Sequence, residues 1–151
     1  MIIKEHQLND IIRKGSYPQF LLFFGSNEGL IRDDILRISR AFKKNIDVDE
    51  ITIEGKSLDE NQSLLDEEIR SFSIFNEKKI IYIENIKEKH LQCFKNQELE
   101  GQNTLIIIKS DNLIRSSKIR NFFEKHKKYA AVPCYDDDMR SSMSLLTQFQ
   151  L

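Results

Sequence analysis

Several features are missing from this chain, and each absence closes a class of function. Cysteine occurs only as Cys93 and Cys134, neither of them in a CxxC pair, so no disulfide framework or thiolate metal motif is in prospect. Reduced thiols in a cytoplasm are the expectation. No apolar run approaches the ~20 residues that a membrane-spanning helix requires. The opening Met1-Ile-Ile-Lys-Glu-His6 is too short and too charged to read as a secretory signal. Net charge is also missing: 23 Lys and Arg stand against 24 Asp and Glu, a formal charge of -1. A balance of that kind gives no global drive toward nucleic acid or an anionic membrane. His6, His90 and His126 are scattered over polar stretches with no HxxH or HExxH spacing, so they read as surface histidines rather than metal ligands. There is no G-x-S-x-G elbow, no triad, no internal repeat and no low-complexity tract.

What the 151 residues do contain is an ordinary globular composition, 40% apolar and 31% charged, long enough to bury a core. Five strands are expected, at Phe20–Phe24, Glu50–Ile53, Lys79–Ile83, Thr104–Lys109 and Ala130–Cys134. Three of them, carrying Leu-Leu-Phe-Phe, Ile-Ile-Tyr-Ile and Leu-Ile-Ile-Ile, are near-continuous apolar runs. That is the pattern of interior parallel strands covered on both faces. Glu50-Ile-Thr-Ile-Glu54 instead alternates, as an edge strand does. Amphipathic helices fill the gaps. Glu5–Lys14 stops at Gly15; Ile31, Ile35, Ile38 and Phe42 form one stripe; Leu58, Leu65, Ile69 and Phe72 form another. A third lies in Ser116–Lys127, with Ser116 or Ser117 as N-cap. Leu91 and Phe94 suggest a short helix within Ile86–Gly101. Alternating strands and helices imply right-handed crossovers and a doubly wound α/β sheet.

The first strand-turn-helix unit has the outline of a phosphate-binding loop and lacks its chemistry. Phe20–Phe24 runs into Gly25, a second glycine follows at Gly29, and a helix begins. A working loop carries lysine and then Ser or Thr directly after the second glycine; here Leu30 and Ile31 stand there. Glu28, Asp33 and Asp34 place negative charge where phosphate would sit. Glu84, at the end of the third strand, holds a magnesium-type position without a lysine to accompany it. Ser110-Asp-Asn112 closes the fourth strand in the same polar manner. Cys134 reads as a small buried hydrophobe. Asp136–Asp138 reads as a solvated helix start, since three adjacent aspartates cannot converge on one ion. No catalytic residue, cofactor-binding residue or metal ligand emerges from these motifs.

Two features ask for a partner. Ser71-Phe-Ser-Ile-Phe-Asn-Glu-Lys-Lys79 puts Ile74 and Phe75 into a polar connection, either tucked beneath it or offered outward. Arg115, Lys118, Arg120, Lys125, Lys127 and Lys128 form a basic helix whose cations read as a solvated face, with a phosphate contact as the competing reading.

Taken in order, Phe20–Ile31, Ser73-Ile-Phe-Asn-Glu-Lys-Lys-Ile-Ile-Tyr-Ile83, Asn103-Thr-Leu-Ile-Ile-Ile108, Ser116-Ser-Lys-Ile-Arg120 and Ala130-Ala-Val-Pro-Cys-Tyr135 resemble the N-terminal domain of the bacterial DNA polymerase III delta subunit, the clamp-loader wrench. The resemblance spans roughly residues 17–135. It implies an AAA+-like core without a functional nucleotide loop, a five-stranded and mostly parallel sheet in the order 5-1-4-3-2, no cofactor, and no catalytic activity in this chain itself. It implies that Ile74 and Phe75, preceded by Ser73, contact the sliding clamp, with isoleucine standing where that family has leucine. Other loader subunits would be partners through C-terminal domains absent here; DNA contact would be weak or indirect, and membrane contact none. Residues 1–136 would form the domain, and residues 137–151 a linker and the start of a helical lid. A residual nucleotide-binding enzyme and a receiver-like signalling domain, whose sheet would run 2-1-3-4-5, are the alternatives.

Overall fold

The computed structural model describes residues 1–71, 76–95, 97 and 103–136. Five strands, β1 (Phe20–Phe24), β2 (Asp49–Glu54), β3 (Lys79–Glu84), β4 (Thr104–Lys109) and β5 (Tyr129–Pro133), form one sheet in the order β2-β3-β4-β1-β5. Every pairing is parallel. β4 separates β1 from β3, with Leu22 opposite Ile108 and Ile83 opposite the same Ile108. The receiver-like order, which pairs the first and third strands directly, is therefore excluded. The expected 5-1-4-3-2 order is present, and among the described residues no strand is antiparallel.

Strand pleat divides the core in two. Phe20, Leu22, Phe24, Ile81, Ile83, Ile106 and Ile108 point to one face, and Leu21, Phe23, Ile80, Leu105 and Ile107 to the other. All are essentially inaccessible, as continuous apolar runs in a sheet covered on both sides should be. α1 (Glu5–Lys14) and α2 (Glu28–Lys43) cover the second face through Leu8, Ile31, Ile38 and Phe42. The first face receives α3 (Gly55–Glu60), α4 (Leu64–Arg70), a 3-10 turn at Glu88–His90 with α5 (Leu91–Phe94), and α6 (Lys118–Lys125). The second strand is the edge: Glu50 and Thr52 are exposed while Ile53 is buried. At the opposite edge, Ile2 makes a parallel bridge to Ala131 beside β5.

The stripe Leu58, Leu65, Ile69 belongs to two helices rather than one. Asn61 leaves the helix in extended conformation, and its side-chain oxygen accepts the Ser63 N–H at 3.1 Å. Asn-Gln-Ser thus supplies a local turn that competes with continuous helix. α6 takes Ser117 as its N-cap and ends at Lys125, two residues earlier than the basic pattern predicts. Strand edges shift by a residue or two: β2 gains Asp49 and Glu54, β3 gains Glu84, and β5 runs from Tyr129 to Pro133. The linker and lid start expected over residues 137–151 lie outside the described residues, as does Phe72.

Candidate functional site

In parallel α/β sheets, ligands gather at the carboxyl ends of the strands, where β1 meets α2. Here that connection is three residues long, Gly25-Ser-Asn27, too short to wrap a phosphate chain. It is also held down from behind. The Cys134 N–H donates to Phe24 O at 2.7 Å, and the Asn27 N–H donates to Cys134 O at 3.2 Å. Gly25 sits at φ 137°, and a Cβ on it would lie 1.9 Å from Cys134 O. Only glycine admits this approach.

The helix N-terminus that follows is capped from within. Asn27 Oδ1 accepts the Leu30 N–H at 3.0 Å, and Asn27 O accepts that of Ile31 at 3.1 Å. Two amides of this turn, those of Leu30 and Asn27, are thus spent on the Asn27 side chain and on the backbone of Cys134. Of the three carboxylates expected to guard this loop, Glu28 and Asp33 are exposed, whereas Asp34 is buried. Asp34 turns inward, with Cys134 Sγ 3.7 Å from one carboxylate oxygen and Arg37 3.7 Å from the other. Burial first, and then the neighbouring Glu5, push its pKa up to about 6. It is an acid on the buried face of α2, turned away from the loop it was expected to guard.

At the carboxyl ends of β2, β3 and β4, Glu54, Glu84 and Lys109 lie in register. Asn85, in left-handed conformation at φ 56°, donates to Glu54 Oε2 at 2.6 Å. Glu84 keeps its magnesium-type place with no lysine in the first loop to join it. Among the described residues, no group of three or more His, Cys, Asp or Glu could hold a metal.

A second anion-like site is also filled internally. The Glu88 carboxylate sits at the N-terminus of α6, accepting from Lys118 N at 2.9 Å, Ile119 N at 3.2 Å and the Ser117 hydroxyl. The same hydroxyl accepts the Arg120 N–H at 3.2 Å. Arg120 is withdrawn from the basic face: it lies over the Phe24 ring, bonds Glu124 at 2.6 Å and donates to Leu113 O at 2.8 Å. Arg115, Lys118, Lys125, Lys127 and Lys128 remain exposed.

His90 departs from the sequence expectation, being 4% exposed rather than on the surface. Its Nδ1 accepts the Lys87 N–H at 2.7 Å, so Nε2 carries the proton and donates to Asp59 Oδ1 at 2.8 Å. That hydrogen bond, ahead of other causes, holds the Asp59 carboxyl below its ordinary range. Both ring nitrogens are occupied, and His90 has none left to activate a nucleophile. Nearby Cys93 has its thiol pushed up by burial and then by Asp66 and Asp59, the reverse of an activated cysteine. The cleft of about 730 Å³ that these side chains line with Leu58 and Arg70 is polar and lacks catalytic geometry. His90 also packs against Gly55, where a Cβ would meet its ring carbon at 3.0 Å and Asn85 O at 2.2 Å.

The three side chains expected to meet a partner, Ser73, Ile74 and Phe75, lie outside the described residues. Their flanks do not. Lys79 is 8% exposed, and its ammonium donates to Glu68 O at 2.8 Å, Ser71 O at 2.8 Å and Ser71 Oγ at 2.6 Å. On the other flank Asn76 Nδ2 donates to Asp49 Oδ1 at 2.8 Å. Lys79, Glu88 and His90 are the residues that sequence reasoning missed. For Lys79 the available signal was its place, two residues before Ile81 on the same strand face.

Fold and site together define a doubly wound α/β domain of the nucleotide-loop type in which the loop is closed by the chain itself. Comparison with protein-family profiles and with curated proteins returns no match. Among solved structures, 11 chains match. One is the Bacillus subtilis DNA clamp loader delta protein (YqeN), with a TM-score of 0.56 and 14% identity over 87% of this chain. The match covers 42% of that protein, so the chain spans less than half of its length. At this identity the likeness establishes the fold alone.

Proposed function

We propose that this chain is a clamp-loader domain of the delta type. It binds the sliding clamp through Ile74 and Phe75, with Ser73 before them, and helps to open it during DNA replication. The observation that carries the reading is the closed first loop on a sheet of the 2-3-4-1-5 order. The nucleotide architecture is retained while its loop is sealed by Cys134 and Asn27. A domain of that kind acts by contact rather than by hydrolysis. The likeness to a clamp loader delta protein supports the same role. Two large apolar anchors entering a pocket supply a plausible hot spot, each worth on the order of 2 kcal/mol. The domain would occupy residues 1–136, its partners would be the clamp and the other loader subunits, and its place the cytoplasm. Direct DNA contact would be weak. No helix among the described residues is long and apolar enough to cross a membrane.

Titration of the chain against its cognate clamp, beside the double variant Ile74→Ala/Phe75→Ala, tests the reading. The parent is expected to bind and the variant to lose about a hundredfold or more in affinity. Equal binding by the two would remove these residues from the interface.

A further inference from the structure

The first residue of β3 is a lysine placed where an apolar residue would be expected. Lys79 lies on the strand face shared by Ile81 and Ile83, which line the core beneath α4. Burying an ammonium is costly unless its donors are all satisfied, and a methionine of similar length would occupy the position without that cost. All three donors of Lys79 are satisfied, and none by a carboxylate: the acceptors are Glu68 O, Ser71 O and Ser71 Oγ. Two of these are carbonyls at the end of α4, where the helix dipole favours a cation. The ammonium therefore holds one place on the chain, the exit from α4 at Ser71. The other end of the span is tied as well. Asn76 bonds Asp49, and Lys78 donates to Phe42 O at 3.2 Å with its ammonium 5.0 Å from the centre of the Phe42 ring.

We propose that Lys79 is a positioning residue for clamp recognition: it fixes the departure point of the segment bearing Ser73, Ile74 and Phe75. The inference rests on the clamp-binding reading above. Two apolar anchors find their pockets with least entropic loss when the stem that presents them is already ordered. Lys79 supplies that order at Ser71 without touching the partner.

The test uses Lys79→Met in the full chain with two readouts, amide exchange in the free protein and affinity for the clamp. In the parent the Ser71 N–H is held by Glu67 O at 3.0 Å. Exchange at Arg70 and Ser71 is expected to accelerate at least tenfold in the variant, while Ile81 and Ile107 keep their protection. Clamp affinity is expected to fall about tenfold with Ile74 and Phe75 intact. Ile74→Ala/Phe75→Ala should show the opposite split, losing affinity with Ser71 exchange unchanged. Unchanged exchange in folded Lys79→Met overturns the proposal, and so does faster exchange with unchanged affinity. If Lys79→Met does not fold, Ser71→Gly removes one acceptor at an exposed position and is held to the same two criteria. A parent that fails to bind the clamp sinks the clamp reading and the recognition role together, whereas the exchange result still decides whether Lys79 holds the stem.

Discussion

Asp34 shows how much one side chain can set against its own fold. It is a carboxylate with a raised pKa, so the folded state holds its proton more tightly than the unfolded chain does. Between the ordinary 3.8 and about 6 the native state binds the extra proton, and stability declines as pH rises through that window. Asp34→Asn carries no charge to bury. Its melting temperature is expected to exceed the parent's at pH 7.5, with the gap closing below pH 4. Thermal melts across that range decide the matter, and a gap independent of pH would refute the assignment. Gly25 offers a steric counterpart. Gly25→Ala puts a methyl group against the Cys134 carbonyl and forces φ 137° on a residue with a Cβ. A loss of roughly 3 kcal/mol or more is expected in urea denaturation. A near-neutral result would mean that the loop does not sit on Cys134.

Among the elements, α6 depends on a residue from a different crossover. Eight residues of helix are marginal alone, and its N-terminus is capped both by Ser117 and by the distant Glu88. Glu88→Ala strips the charged acceptor from the Lys118 and Ile119 amides. A cost of about 1–2 kcal/mol is expected, the usual worth of a cap with a charge at the helix start. Glu88→Gln should recover part of it. Denaturation midpoints compared at constant m-value make the measurement, and a midpoint equal to the parent's would rule out the cap. Elements were legible where periodicity was strong. Glu5–Lys14, Phe20–Phe24 and Thr104–Lys109 fall where the pattern puts them, because apolar spacing and a terminal glycine act locally. The break between α3 and α4 was not anticipated. There an Asn61 side chain outcompetes helix within an unbroken apolar stripe.

For the molecule as a whole, the closed first loop predicts indifference to nucleotide. Millimolar ATP with magnesium should leave the melting temperature where it is, since a ligand that does not bind the native state cannot stabilise it. A clear ATP-dependent rise would restore the nucleotide-binding alternative. Charge is distributed unevenly: of the six cations in the basic pattern, five stay in solvent and Arg120 is used for packing. What the sequence determined by itself was the class of fold, including which strands are central. Unbroken apolar runs are stable only between two layers of helix, and an alternating strand is stable at an edge. It also determined that the lysine and Ser/Thr of a working loop are missing after the second glycine, where Leu30 and Ile31 stand. Only the tertiary structure decided what occupies that loop instead, and that Asp34, Lys79 and His90 lie inside. A polar residue's burial depends on partners such as Cys134, Ser71 and Asp59, which are near in space and, in two of the three cases, distant along the chain.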